Sequence, residues 1–524
     1  MKLRRYLTLA AFALIVVAYV AVRCSDLTAS CLWFDEIFSV HAAEHSWNSI
    51  LSFVSLDLIH PPLFYVLLKF WIGIGGESLS WLRLFPVIFS LISLVPLILF
   101  LRELKQDTHV QLICLLLLTV NGSLLKYSLE VRMYSMLMCA ALFSMWLFAR
   151  YFIKGKSFVP LVIVNVLLVY THYFGWFVIL SEVFAVLIFQ RIKWRRVAVM
   201  LGITMVAFLP WAIAVFQAAR SGSNLGQNIG WMSRPGLHEV ITFALNLVEP
   251  FYYQASTADP VSIFKVSLPL LLITLTGVCL YFTNWKQLSD YERQHSKLFV
   301  LFIALPSMTA FILSWLLPYS IWGTRHLIVV FAPFAILIAI TLAQITVPAF
   351  KIAAITLICL FSGYAFVLES SRPEPQYSWC EWEPLVDTAL SMEKANVYAT
   401  EDLVAYHAWF AERNNPSVKI SKLVHIGGIN EDKSYFSPRG FESIGIVDLS
   451  ELKDEKFWLL YRGIGLVNSD ESLERRITTG GFRALAINKG ESPLRDLSLR
   501  GYHIVDDRIV AANGQNVSCL MLAK

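Results

Sequence analysis

Apolar windows long enough to cross a bilayer recur along this 524-residue chain. They lie at about residues 6–23, 82–101, 110–125, 133–152, 157–170, 174–190, 197–217, 261–283, 298–317, 323–345 and 348–367. In hydrocarbon every backbone polar group must be satisfied within the segment, and an apolar helix of about 20 residues does this. The reading is a polytopic α-helical membrane protein with about eleven transmembrane helices. The windows 157–170 and 174–190 can be drawn as two helices or as one long one. A soluble core is excluded, because 57% of the residues are hydrophobic and only 15% are charged.

The connections between windows supply a direction. Lys2, Arg4 and Arg5 precede the first, and Arg102–Lys105, Arg150–Lys156, Arg191–Arg196 and Lys286–Lys297 carry most of the Lys and Arg between later ones. They fall on alternate connections, the positive-inside pattern, which assigns them to the cytoplasm. The basic start and the apolar run to Val22 lack a small-x-small cleavage site before Cys24, so the run reads as an uncleaved span. The opposite face then receives Asp35, Glu36, His60, Glu130, Arg132, His172, the loop 218–260, Arg325 and everything beyond about residue 368. Residues without a shared task would scatter over both faces. The net charge of +5 comes without a basic stripe or zinc-finger spacing, so nucleic acid is not an expected partner. Of eight cysteines, Cys114, Cys139, Cys279 and Cys359 fall inside apolar runs. Cys24, Cys31, Cys380 and Cys519 fit an oxidising side, with their pairing open.

Asp35 and Glu36 are adjacent carboxylates among Trp33, Phe34, Ile37 and Phe38, directly after the first span. Acids at a membrane mouth are costly to desolvate and are kept there chiefly for work on a substrate, ion or proton. The plain alternative is a helix cap. They open a first outer loop of about residues 25–81. In it Ser46 is expected to cap a segment whose Trp47, Ile50, Leu51, Val54 and Leu58 share one face, an interfacial helix. After His60-Pro61-Pro62, which sets where a helix begins, Leu63–Ile74 is too short to span and suits an interfacial or re-entrant helix.

Further corners follow on the same side. In the segment 126–134, a fourth span starting at once would put Glu130, Tyr134 and Leu137 on one face and point Arg132 elsewhere, the alternative being an Arg132 that snorkels to the headgroups. His172 lies in Thr171-His-Tyr-Phe-Gly175, and Arg325-His326 puts a cation at the outer end of the tenth span. The loop 218–260 holds Gly222, Gly226 and Gly230 and reads as mobile, where a substrate lid would be useful. Residues 375–524 have the composition of a soluble α/β domain. Strands are expected at 395–400, 418–424 and 457–461, helices at 402–413 and 471–478, and two or three strands at the end. This domain carries no phosphate loop and no dinucleotide fingerprint.

These residues together resemble the GT-C superfamily of integral-membrane glycosyltransferases. The chain looks closest to the family 39-like branch with protein O-mannosyltransferases and the lipid A aminoarabinose transferase. The resemblance covers roughly residues 1–370. It rests on Trp33-Phe34-Asp35-Glu36, His60-Pro61-Pro62-Leu63-Phe64-Tyr65, Glu130-Val-Arg132-Met-Tyr134, His172-Tyr-Phe-Gly175 and Arg325-His326. His326 departs from the Tyr that often follows the Arg, and the C-terminal domain has no placed counterpart.

The resemblance implies inverting transfer of a sugar from a polyprenyl-phosphate donor to an acceptor protein, lipid or glycan on the outer face of the cell (inner) membrane. Asp35 would be the general base, with Glu36 as neighbour or substitute, and Glu130 would face it. Arg132, Arg325 and His60 would bind the lipid phosphate, with Tyr134, His172 and His326 as further contacts. A divalent metal held by Asp35, Glu36 and Glu130 is an open option, since relatives differ. A transporter or flippase of lipid-linked sugars is the alternative function, and a scaffold with a recruiting outer domain is a third. Transporter sites sit near the midplane, often within repeats, and no repeat is visible here.

Overall fold

The computed structural model describes residues 2–25, 27–189, 193–221, 229–230, 232–251, 261–283, 285–345, 347–371, 378–415, 417–426, 444–464, 493–512 and 515–524. These residues form two compact units. One comprises Met1–Thr28 and Ala42–Arg372, the other Ala29–His41 and Pro373–Lys524. The segment 29–41, placed by its sequence in the first outer loop, groups with the C-terminal unit.

All eleven apolar windows of the first unit are helical. The helices are α1 (Lys2–Cys24), α2 (Phe34–Glu44), α3 (Ile50–Asp57), α4 (Leu63–Gly75), α5 (Leu79–Ile92), α6 (Leu94–Glu103), α7 (Thr108–Val120), α8 (Gly122–Leu129), α9 (Tyr134–Lys154), α10 (Phe158–Thr171), α11 (Gly175–Phe189) and α12 (Trp194–Arg220). Beyond them come Leu237–Asn246, Val261–Thr283, Asp290–Leu316, Phe331–Gln344 and Pro348–Ser370. Among the described residues seven helical stretches are long and apolar enough to cross a membrane, counting Leu79–Glu103 (α5 with α6) and His326–Gln344 each as one, and α4, α7, α10, α11 and Ser267–Thr283 are shorter apolar helices. The chain is an integral membrane protein.

Several windows break where the sequence supplies a reason. The second bends at Ser93 between α5 and α6, because Pro96 has no N–H for the carbonyl one turn back. The third breaks at Asn121, whose side chain accepts from the Leu124 N–H at 2.9 Å and donates to the Asn246 carbonyl at 3.1 Å. The exposed backbone there is satisfied by the chain at 249–251: Gly122 N–H donates to Glu249 O and Phe251 N–H to Val120 O. The windows 157–170 and 174–190 are two helices, parted at His172. In the outer loop, α3 starts at Ile50 rather than at Ser46, whose carbonyl accepts from the Ile50 N–H. Trp47 precedes the helix and is exposed.

Polar side chains within the bundle mark two places. Between α9, α10 and α11, Ser144 Oγ donates to Glu182 Oε1 at 2.6 Å and Asn165 Nδ2 donates to Glu182 Oε2 at 2.8 Å, all three fully buried. Such interhelical bonds join helices that hydrophobicity alone cannot sort. At the far end of α9, Glu103 pairs with Lys154 at 2.5 Å and Arg150 at 3.8 Å, and Lys193 Nζ donates to the Tyr151 carbonyl. The connections 102–105, 150–156 and 193–196 therefore meet at one end of the bundle, as the charge pattern requires.

The C-terminal unit has a six-stranded sheet: β1 (Val397–Ala399), β2 (Ile420–Val424), β3 (Gly445–Asp448), β4 (Lys456–Ile464), β5 (His503–Ala512) and β6 (Gln515–Ala523), in the order β3-β2-β1-β4-β6-β5. The first four are mutually parallel, with Val397 opposite both Ile420 and Trp458, and β6 and β5 add antiparallel. Parallel strands need crossover helices on their faces, and β1 and β2 are buried at every residue accordingly. Helices Trp382–Met392, Asp402–Glu412 and Pro493–Leu499 accompany the sheet. The expected α/β class and the elements at 395–424 and 457–461 hold. The strand at 445–448 and the helix at 382–392 had no clear sequence signal. The expected helix 471–478 and most of the Gly-rich part of 218–260 lie outside the described residues.

Candidate active site

The first unit brings five of the expected residues together. The corner after α8 is tight, with the Arg132 N–H donating to the Glu130 carbonyl at 2.6 Å across two residues, a γ-turn. Because α9 begins only at Tyr134, Glu130 caps the end of α8 and shares no helix with Tyr134. The expected common face is thus corrected. So is the snorkelling alternative, since Arg132 is buried, 3% exposed. Its Nη1 donates to Tyr65 Oη at 3.3 Å and its Nη2 lies 3.3 Å from His60 Nε2.

His60 is fixed from its other side. Asp57, the last residue of α3, holds its Oδ2 3.0 Å from His60 Nδ1. The backbone turns there through Leu58 at φ 62°, a left-handed conformation that costs a non-glycine residue and persists only when its surroundings impose it. Nδ1–H donates to Asp57, and the Arg132 Nη2 stands almost equidistant from the two ring nitrogens, 3.3 Å from Nε2 and 3.4 Å from Nδ1. Asp57, His60 and Arg132 form a relay in which a carboxylate partly balances a buried guanidinium.

His172 occupies the break between α10 and α11. Its Nδ1 accepts from the Phe174 N–H at 3.1 Å, so the proton of the neutral ring sits on Nε2. That Nε2 is buried and has no hydrogen-bond partner among the described residues. Burial above all, then the neighbouring His60, Arg132 and Arg325, hold its pKa well below 6.5. The ring lies 5.5 Å from His60 and 5.5 Å from His326, and Tyr134 is 6.4 Å from both His172 and His326. His326 donates from Nδ1 to the Ile321 carbonyl at 3.2 Å. It opens a 3-10 turn, His326–Val330, that leads into Phe331–Gln344.

The field of Arg325 reaches this chamber at Tyr127 and His172. Burial raises the Tyr127 phenol pKa, Glu130 raises it further, and Arg325 opposes them. Glu249 acts on the same phenol and is itself 2% exposed. Asn246 donates to Thr324 Oγ1 at 3.1 Å, beside Arg325. The arrangement offers two guanidinium groups and one imidazole N–H donor, a set matched to a phosphate oxyanion. Asp57, Tyr65, Tyr127 and Glu249 were not singled out from sequence. The spacing of Asp57 and His60, three residues apart, was the one readable signal.

Asp35 and Glu36 belong to the other unit. Glu36 is buried, and its Oε2 accepts from the backbone N–H of Trp33, the residue that precedes α2. This is the reaching-back half of a capping box, so the cap in this pair is Glu36. Asp35 is partly exposed on the first turn, and its carbonyl accepts from Ser39 Oγ at 3.1 Å. Among the described residues no three His, Cys, Asp or Glu side chains are grouped to hold a metal. Cys31 forms a disulfide with Cys380, Cα atoms 5.4 Å apart. Of the other outer-side candidates, Cys519 is buried in β6 and Cys24 is exposed, both as free thiols.

No family model and no curated protein matches the chain. Among solved structures, ArnT from Cupriavidus metallidurans bound to undecaprenyl phosphate matches at TM-score 0.52 and 11% identity, over 97% of each chain. The apo state of that protein matches over the same shares at 0.52 and 10%. The oligosaccharyltransferase of Archaeoglobus fulgidus in its apo form matches over 78% of this chain at TM-score 0.47 and 14% identity, and the chain spans about 64% of its length. At such identity the ArnT likeness is one of fold. The chain has the GT-C fold, and the likeness extends through the C-terminal unit as well as the bundle.

Proposed function

We propose that this chain is an inverting glycosyltransferase that moves a sugar from a polyprenyl-phosphate donor to an acceptor hydroxyl on the outer face of the inner membrane. The observation that carries the reading is the buried Arg132, oriented by Tyr65 and by the Asp57–His60 pair, beside a His172 Nε2–H that has no partner among the described residues. Buried cations and donors arranged this way stabilise a charge that develops away from water. The outward placement is supported by the positive-inside pattern and by the Cys31–Cys380 disulfide, a bond typical of oxidising compartments.

In this mechanism the acceptor oxygen forms a bond to the anomeric carbon as the bond to the phosphate oxygen breaks. The electron pair of that bond leaves with the lipid phosphate, and the hydroxyl proton passes to Asp35. One displacement inverts the centre and needs no enzyme nucleophile. Arg132, Arg325 and the His172 Nε2–H take up the charge arriving on the phosphate. Glu130 and Tyr134 orient the sugar or acceptor, and His60 and His326 line the phosphate side. Glu36 keeps α2 started beside Asp35.

Purified protein in nanodiscs, supplied with a radiolabelled polyprenyl-phosphate sugar and extracted acceptor, tests the reading. Asp35→Asn keeps shape and removes the base, so transfer should fall by about a hundredfold or more while donor binding survives. Near-normal transfer by a folded Asp35→Asn protein would remove Asp35 from the chemistry. Movement of donor across the bilayer without sugar transfer would instead favour the flippase function.

A further inference from the structure

The segment that carries Asp35 is folded as a piece of the C-terminal unit and is held on both sides of that residue. Four residues before it, Cys31 is bonded to Cys380 across a sequence separation of 349 residues, and the Cys31 N–H also donates to Cys380 Sγ at 3.2 Å. One residue before it, the Phe34 ring meets Tyr406 edge-on at 5.0 Å. Six residues after it, the His41 ring stands edge-on to Trp409 at 4.7 Å and to Tyr406 at 6.5 Å. Tyr406 and Trp409 are themselves stacked, 9° from parallel with centroids 5.5 Å apart.

The platform under these contacts is packed into the C-terminal unit. Both rings sit on the helix Asp402–Glu412, whose Val404, Ala405, Tyr406 and Ala408 are buried. Its first turn is tied to the sheet by Lys422 in β2, whose ammonium lies 2.7 Å from Asp402 Oδ1 with only 3% of the side chain exposed. A buried ion pair adds little net stability but fixes a register, because breaking it strands a charge. The helix that presents Tyr406 and Trp409 is thereby set against β1 and β2.

We propose that the C-terminal unit positions the general base: the Cys31–Cys380 disulfide, with Tyr406 and Trp409, clamps the segment 31–41 and sets the orientation of the Asp35 carboxylate. The inference rests on the proposed role of Asp35 and gives the domain a task in the transfer step itself. A general base works only within hydrogen-bond reach of the hydroxyl it deprotonates, and a misplacement of about 1 Å can cost about a hundredfold in rate. A four-residue tether and two ring contacts restrict such drift at one residue. Tyr406, Trp409 and the cystine act through Asp35 and are positioning groups.

The full-length protein in nanodiscs is compared oxidised, reduced with dithiothreitol, and reoxidised, with the thiol state checked by mass spectrometry. Reduction should lower kcat by about tenfold to a hundredfold and leave KM for the polyprenyl-phosphate sugar within about twofold, and reoxidation should restore kcat. Amide exchange should rise in residues 31–41 and stay constant in α9 and α10. Trp409→Ala should imitate the loss, and Trp409→Phe, which keeps a ring for His41, should recover most of it. In Asp35→Asn, reduction should cost less than about twofold, because the group being positioned is already gone. An unchanged kcat after verified reduction would overturn the clamp. So would an equal further loss in the Asp35→Asn background, which marks a general structural role. Full transfer by oxidised Asp35→Asn defeats the base reading on its own, whatever the exchange in 31–41 reports.

Discussion

Arg132 Nη2 lies 3.3 Å from His60 Nε2, and the opposite nitrogen of that ring lies 3.0 Å from Asp57 Oδ2. The cation proposed to meet a phosphate is held by an imidazole whose proton is committed to a carboxylate. The guanidinium keeps its charge while its direction is fixed. Tyr65, two positions inside α4, supplies the second restraint at 3.3 Å. The short helices of the outer loop exist, on this view, to bring Asp57, His60 and Tyr65 to the corner after α8.

Donor binding should separate from chemistry at the arginines. Arg325→Ala removes a cation and leaves the Asp57–His60–Arg132 relay intact. KM for the polyprenyl-phosphate donor should rise at least tenfold, with activity partly recovered at high donor concentration. Arg132→Lys keeps the charge and loses the fork that serves Tyr65 and His60 together, so it should behave as a loss rather than a conservative change. Unchanged donor dependence in either folded variant takes that arginine out of the phosphate site.

Topology follows from charge. Single cysteines introduced in a cysteine-reduced background at residue 195 and near residue 500 should be labelled by an impermeant maleimide from opposite sides of the membrane. The first should react only from the cytoplasm and the second only from outside. Labelling of both from the cytoplasm would refute the arrangement.

Gly75→Ala should loosen the join between α4 and α5. Trp71 and Trp81 stack at 4.1 Å, 6° from parallel, and each indole N–H donates to the other residue's carbonyl, at 2.8 and 3.0 Å. A Cβ on Gly75 would stand 2.1 Å from Trp81 Cε2, so the stack must move. Overpacking of this kind costs about 1–3 kcal/mol. Thermal unfolding in detergent should start at lower temperature, and a melting curve identical to wild type would contradict the reading.

The C-terminal unit should lose stability on acidification through His407. Burial lowers its pKa to about 3, while the unfolded residue takes a proton near pH 6.5. Between these values the unfolded state binds more protons, so this contribution is complete above about pH 6.5 and declines as pH falls toward 3. In His407→Gln, the opening equilibrium across β1, β2 and β4, read from amide exchange corrected for the intrinsic rate at each pH, should rise less between pH 7 and 5 than in wild type. Equal slopes would assign the acid sensitivity to other groups.

The sequence alone marked the eleven helical windows, the basic connections that gather at one end of the bundle, and the α/β character of the last 150 or so residues, because spanning length, hydropathy and strand–helix alternation are local properties. It also named His60, Arg132, Tyr134, His172 and His326, which the fold does bring together. Only the tertiary structure decided that Asp57 orients His60, that Glu249 joins the chamber across a helix broken at Asn121, and that Arg132 is buried. It also decided that residues 29–41 belong with the C-terminal unit through the Cys31–Cys380 bond. Each of these relations depends on which distant segments pack together. Pairing of cysteines 349 residues apart, or of a break in one span with a loop more than 120 residues later, leaves no periodicity to read, since side-chain contact is set by the packed backbone rather than by spacing along the chain.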